Sequence, residues 1–278
     1  MKSFNPVIED NPNIDLEFPA SMQPIVFKSN GEKILGTFFH AVGSGQKPTV
    51  ILLHGFPGNE SNFDIAHAIK RFGFNVIVFH YRGSWGSGGS FSISNSLEDL
   101  NSAIEYFSSD KIASQLNIDT EKIILIGHSM GGFISLLEST KYPQIKNIGF
   151  LAGFNFGLFS DFLLKNPEFI DKAMDGLSQG SMLLKNASGD AIYKEMLANK
   201  EAWNLLNRVM EIKEKNILLI GAQFDSVAPL ELHHNPLSEA LKQIGVNYKS
   251  YIYQTGHSFS SARIRLTTDV INWLENIV

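Results

Sequence analysis

Ser129 stands in Gly127-His128-Ser129-Met130-Gly131, where an apolar run gives way to an amphipathic one. A serine hydroxyl is a weak nucleophile and needs a base beside it. The Gly-x-Ser-x-Gly pattern supplies a working geometry when a strand precedes it and a helix follows. The chain then turns so sharply that the serine oxygen projects above the sheet, close to a helix N-terminus that favours developing negative charge. "KIILIG" (122–127) reads as a strand buried on both faces, and a helical pattern runs on from Phe133. An ordinary tight turn with an incidental serine is the competing reading, and the partners decide between them. Of eight histidines, His257 lies in "YQTGHSFSS", after the last strand pattern and before the last helix. Open α/β sheets place their chemistry in such loops. Asp225, in "LLIGAQFDSVAP", follows another apolar strand and would orient the histidine. The chain order Ser, Asp, His is the one this motif class uses. Asp161, Asp171, Asp175 and Asp190 are weaker candidates for the same role. A tetrahedral oxyanion would need two N–H donors, expected from Met130 and from Phe56 in "HGFPGN".

The elements that must position these residues alternate along the chain. "PIVFKSN" and "KILGTFFHA" read as paired strands across a turn at "NGE". "TVILLHG" (49–55), "FNVIVFHY" (74–81), "KIILIG", "IKNIGFLAG" (145–153), "NILLIGA" (216–222) and "YKSYIYQ" (248–254) are further strands. Helical spacing occurs near 60–72, over 96–109, after Phe133 and over about 260–277. This alternation predicts an α/β fold with a mostly parallel central sheet covered by helices on both faces. It breaks between Gly153 and Lys215, where two helical stretches follow one another without a strand. The expected organisation is a core of 1–152 and 216–278, with 153–215 as a helical cap insertion. That insertion is rich in apolar side chains, and Phe154, Phe156 and Phe159 at its start are expected to line a substrate pocket with Trp85. Trp85 sits in the glycine-rich "RGSWGSGGSFS" (82–92), read as a flexible loop. This loop lacks the lysine of a phosphate loop and the spacing of a dinucleotide fingerprint.

Composition narrows the classes further. A formal net charge of −5 lacks the basic footprint of a nucleic-acid binder. The absence of cysteine excludes disulfides, thiolate metal sites and a cysteine nucleophile. No run approaches the length of a membrane span, and the proline- and acid-interrupted start lacks the apolar centre of a signal peptide, so a cytoplasmic location is expected. The adjacent His233 and His234 cannot readily share one metal, and are read as solvated or capping residues.

Taken together, "HGFPG", "YRGSWGSGG", "GHSMGG", "GAQFDSVAP" and "TGHSF" resemble the α/β-hydrolase superfamily, from about residue 22 to the end. Within it the chain is similar to stand-alone bacterial hydrolases of the prolyl-oligopeptidase and acyl-peptidase type. The long N-terminal propeller of true oligopeptidases is not expected here, which favours a carboxylesterase-like reading. His80 stands where many relatives carry an aspartate. The resemblance implies Ser129 as nucleophile, His257 as general base and then acid, and Asp225 as its orienter, acting through an acyl-enzyme without metal or cofactor. The expected partner is a small acyl substrate. A peptidase or amidase with the same three residues is the nearest alternative. A non-catalytic binding protein on this fold would have lost one of them.

Overall fold

The computed structural model describes residues 4–277; residues 1–3 and 278, at the outer ends of the expected core, lie outside it. Two antiparallel strands open the chain, β1 (Ser21–Ser29) and β2 (Glu32–His40). Six more follow: β3 (Lys47–Leu53), β4 (Asn75–His80), β5 (Ile118–His128), β6 (Asn147–Leu151), β7 (Asn216–Ala222) and β8 (Asn247–Tyr253). Their spatial order is β1-β2-β4-β3-β5-β6-β7-β8. β2 meets β4 antiparallel, and every pairing from β4 to β8 is parallel.

The central strands alternate between two apolar layers, as a strand buried on both faces must. Ile51, Leu53, Ile123, Leu125, Ile217 and Leu219 face one layer, and Val50, Leu52, Ile124, Ile126, Leu218 and Ile220 face the other. On the first face lie α2 (Ile93–Ser108), α3 (Asp110–Leu116), α4 (Met130–Ser139) and α8 (His234–Ile244). On the second lie α1 (Phe63–Phe72) and α9 (Arg263–Glu275), which pack together.

Between β6 and β7 the chain forms α5 (Phe156–Lys165), a 3₁₀ turn (Pro167–Phe169), α6 (Ile170–Ser181), α7 (Gly189–Ala198) and a 3₁₀ helix (Leu205–Ile212). The second helical stretch expected there is therefore interrupted at Asn199–Asn204. Asn204 caps the 3₁₀ helix through Leu206 N–H, and Asn155 accepts from Leu205 N–H. β5 begins at Ile118, four residues before the apolar run, because Ile118 pairs with Lys47 across a register shift. Among the described residues no helix is long and apolar enough to cross a membrane.

Candidate active site

β5 ends at His128, α4 begins at Met130, and Ser129 alone makes the turn, at φ 57° and ψ −120°. A non-glycine residue in that region is strained, and strain of this kind persists only where surroundings over-determine it. Here the surroundings are backbone. A Cβ on Gly127 would overlap the carbonyl of Gly131, and one on Gly131 would overlap the carbonyl of Leu53. Ser129 N–H donates to Leu151 O (3.0 Å), and its carbonyl accepts from Phe133 and Phe154 N–H. The elbow is thus clamped between β3, β6 and its own helix, with the serine buried.

Asp225 and His257 arrive from the loops after β7 and β8. Asp225 Oδ2 accepts from His257 Nδ1–H at 2.7 Å, while Oδ1 accepts from Val227 and Ala228 N–H at 2.8 and 2.7 Å. Burial works to raise the carboxyl pKa, but the His257 hydrogen bond and charge, together with the two N–H groups, outweigh it. The carboxyl is held below its usual range. An Asp225 acceptor at Nδ1 places the Nδ1 proton and leaves Nε2 as the free base. The structure therefore joins Asp225 to His257. Among the described residues no hydrogen bond joins His257 to Ser129 Oγ, a contact that often tightens only around substrate.

Gly55 brings the loop after β3 against the elbow: a Cβ there would lie 2.8 Å from Ser129 Cβ and 3.3 Å from its Oγ. Phe56 follows immediately. Met130 N–H is the first of α4 and has no acceptor within its helix. Trp85, exposed at φ 46°, donates its Nε1–H to Pro57 O (2.8 Å), tying the loop after β4 to the Phe56 loop. Phe154 and Phe159 are half-buried, with ring centroids 4.9 Å apart. Phe156 is different: it is buried between Phe133 and Trp203 and packs as a core residue.

The 82–92 loop is not the flexible segment expected. Arg82 is buried with Asp99, donating its backbone N–H and Nε–H to the carboxylate at 2.7 and 2.6 Å. Gly83, Ser87 and Phe91 each make backbone or side-chain bonds that fix the turns, and Lys185, beyond α6, pairs with Gly83 and Phe91. Asp99 lies mid-helix in α2 and carries no sequence signal for this role. His233 and His234 are likewise buried, not solvated or capping. His233 Nδ1 accepts from Asn155 N–H (2.9 Å) and its ring lies 4.2 Å from that of Phe154, while His234 Nε2 meets Ser250 Oγ at 3.0 Å. Burial pushes their pKa values down to about 3 and about 4, so both stay neutral. His54, beside Gly55, is pushed down to about 3 in the same way. Among the described residues there is no group of three or more His, Cys, Asp or Glu side chains that could hold a metal.

A strand-turn-helix elbow on a mostly parallel, helix-covered sheet is the architecture of the α/β-hydrolase fold. The profile of the alpha/beta hydrolase fold matches residues 48–180. The chain has the α/β-hydrolase fold and resembles the carboxylesterases and acyl-peptidases of that superfamily. It superposes on Pyrococcus furiosus esterase Pf2001 with a TM-score of 0.66 at 17% identity, covering 96% of this chain and 97% of that one. The Pyrococcus horikoshii acylaminoacyl peptidase gives 0.68 at 17% identity, with 94% of this chain but 42% of that one covered. In sequence, the Escherichia coli (strain K12 / DH10B) 2-hydroxy-6-oxononadienedioate/2-hydroxy-6-oxononatrienedioate hydrolase is 35% identical over 116 residues, which is 40% of this chain and 38% of that protein. The chain spans about half the length of the curated relatives it matches.

Proposed function

We propose that the protein is a serine hydrolase of small or medium carboxylic esters. The single observation that carries this reading is the strained Ser129, at φ 57° between β5 and α4, at the same C-terminal end of the parallel strands as the 2.7 Å Asp225–His257 pair. In the proposed cycle Ser129 Oγ attacks the ester carbonyl carbon and its proton passes to His257 Nε2. Phe56 and Met130 N–H groups receive the oxyanion. Collapse of the tetrahedral intermediate breaks the bond to the leaving oxygen, which takes the proton from His257. Water then attacks the acyl-Ser129 ester, His257 takes the water's proton, and the acid departs as Ser129 regains its own. No metal or cofactor enters this cycle. Asp225 keeps the Nδ1 proton in place and stabilises the imidazolium that forms twice. The segment 153–215 is proposed as a cap, with Phe154, Phe159 and Trp85 around the acyl chain. Phe156 packs behind them as a core residue.

The test is labelling with a fluorophosphonate probe, followed by assay on matched ester, thioester and aminoacyl-amide substrates. Labelling at Ser129 alone, with Ser129→Ala reducing kcat on esters by roughly 10⁵–10⁶-fold, is the expected result. Labelling elsewhere, or an active alanine variant, removes the reading. Turnover of amides at the rate of esters would replace the ester assignment by the amidase one.

A further inference from the structure

His128, the residue before the elbow serine, is buried, and the cycle above gives it no work. Its Nε2 lies 2.9 Å from the backbone carbonyl of His257, 129 residues away. A carbonyl only accepts, so Nε2 carries the proton and Nδ1 is a bare acceptor. That Nδ1 is buried without a partner. The two imidazole rings are 4.8 Å apart at 43°, and Phe259 flanks His128 edge-on at 6.1 Å. An unpartnered buried acceptor carries a desolvation cost, which an apolar residue of similar size would avoid. The side chain thus holds one specific bond, to the residue that bears the base.

His257 needs such a bond. It sits between β8 and α9 in a loop without regular structure, and its Nδ1 is held from one direction only, by Asp225. Rotation of the loop about that bond would swing Nε2 away from Ser129. The carbonyls of Thr255 and Gly256, just before His257, accept from Phe224 and Phe259 N–H; the bond from His128 adds a restraint on the His257 carbonyl itself, and it runs from the residue that adjoins the nucleophile. Placement of the base is then referenced to the elbow itself. We infer that His128 is a positioning residue, locking the His257 backbone to the nucleophile elbow so that base and serine keep one distance. This rests on the proposed roles of Ser129, Asp225 and His257.

Three variants separate this from a packing role. His128→Phe keeps a ring and loses the donor. His128→Gln places an N–H near the position of Nε2, and His128→Asn places one near Nδ1, too short to reach the carbonyl. Each is assayed on p-nitrophenyl butyrate, with far-UV circular dichroism and the downfield proton resonance of the His257–Asp225 bond recorded alongside. His128→Phe and His128→Asn should lose up to about 10²-fold in kcat, as misplacement by about an ångström does, with KM nearly unchanged. His128→Gln should recover most of that loss, and the downfield resonance should shift or broaden in the Phe and Asn variants only. Wild-type kcat in His128→Phe overturns the inference, as does a parallel change in kcat and KM that glutamine does not rescue. Loss of the folded spectrum in all three makes His128 a folding residue and also overturns it. An active Ser129→Ala protein would instead break the underlying reading, so the two failures are distinguishable.

Discussion

Gly180, near the end of α6, lies against the ring of Phe56, and a Cβ at position 180 would overlap that ring. The contact joins the segment between β6 and β7 to the loop that bears a proposed oxyanion donor. Phe56 cannot retreat freely, because its ring also packs on Phe91 at 5.6 Å. Gly180→Ala should therefore shift either α6 or the Phe56 loop. We expect a fall in kcat/KM of about 10-fold or more, up to about 10² if the Phe56 N–H moves by an ångström. Alanine is the better helix former, so far-UV helicity should not drop. Unchanged steady-state kinetics in this variant would show that the loop absorbs the methyl without moving the donor.

Asp225→Asn should preserve the fold while lowering kcat by roughly 10⁴-fold. The amide oxygen can still accept from Val227 and Ala228 N–H, which turns the amide N–H₂ toward His257 Nδ1. Nδ1 must then be an acceptor, and the proton moves to Nε2, where the base is needed. Thermal denaturation at neutral pH should stay close to wild type while ester turnover collapses. Retention of more than a tenth of the activity would mean that another carboxylate orients His257.

Stability should fall as the pH drops below about 6.5. His54, His128 and His233 are held near 3, and His234 near 4, by burial. Each has a folded pKa below its unfolded value of about 6.5, so the unfolded chain binds more protons between the two. Their contribution is complete above the unfolded pKa and is lost as pH falls toward the folded one. Each proton taken up on unfolding changes stability by about 1.4 kcal/mol per pH unit. Denaturant unfolding between pH 7 and 4.5 should show this slope, and His233→Phe should reduce it by about one proton. A flat profile would mean that these rings are already protonated or exposed.

The sheet is legible because its signal is local. Ile51 and Leu53 alternate with Val50 and Leu52 within one short run, and so do Ile123 and Leu125 with Ile124 and Ile126. Ser129, Asp225 and His257 stand out for the same reason: each lies within three residues of the end of a run that reads as a strand. His233 looks solvated because its surroundings, Asn155 and Phe154, come from nearly eighty residues earlier in the chain. Asp99 carries no sequence signal because its partner Arg82 lies seventeen residues away, in a loop before α2. Gly180 carries no sequence signal for its role, which comes from the ring of Phe56 over a hundred residues away. α5 is apolar nearly all round, so its spacing alone does not say which phenylalanine faces the core.

That last ambiguity yields a prediction with an internal control. On α5 the buried set is Phe156, Gly157, Ser160 and Leu163, at the spacing of one helix face. Phe156 meets Phe133 and Trp203 on that face, whereas Phe159 turns toward Phe154 and His233. Phe156→Ala should therefore act on stability, by about 3–5 kcal/mol as for a buried aromatic, with the same chain-length preference in whatever folded protein remains. Phe154→Ala and Phe159→Ala should act on selectivity instead. If the 153–215 segment caps an acyl pocket, each added methylene contributes up to about 0.8 kcal/mol, so kcat/KM should climb severalfold per carbon until the space is filled. Removing either ring should move the optimum to longer chains, with little loss of thermal stability. The measurement is kcat/KM for p-nitrophenyl esters from acetate to decanoate on the wild type and the three variants. A wild-type profile that does not change with chain length, or an optimum that moves only in Phe156→Ala, would leave this segment as packing and place the acyl group elsewhere.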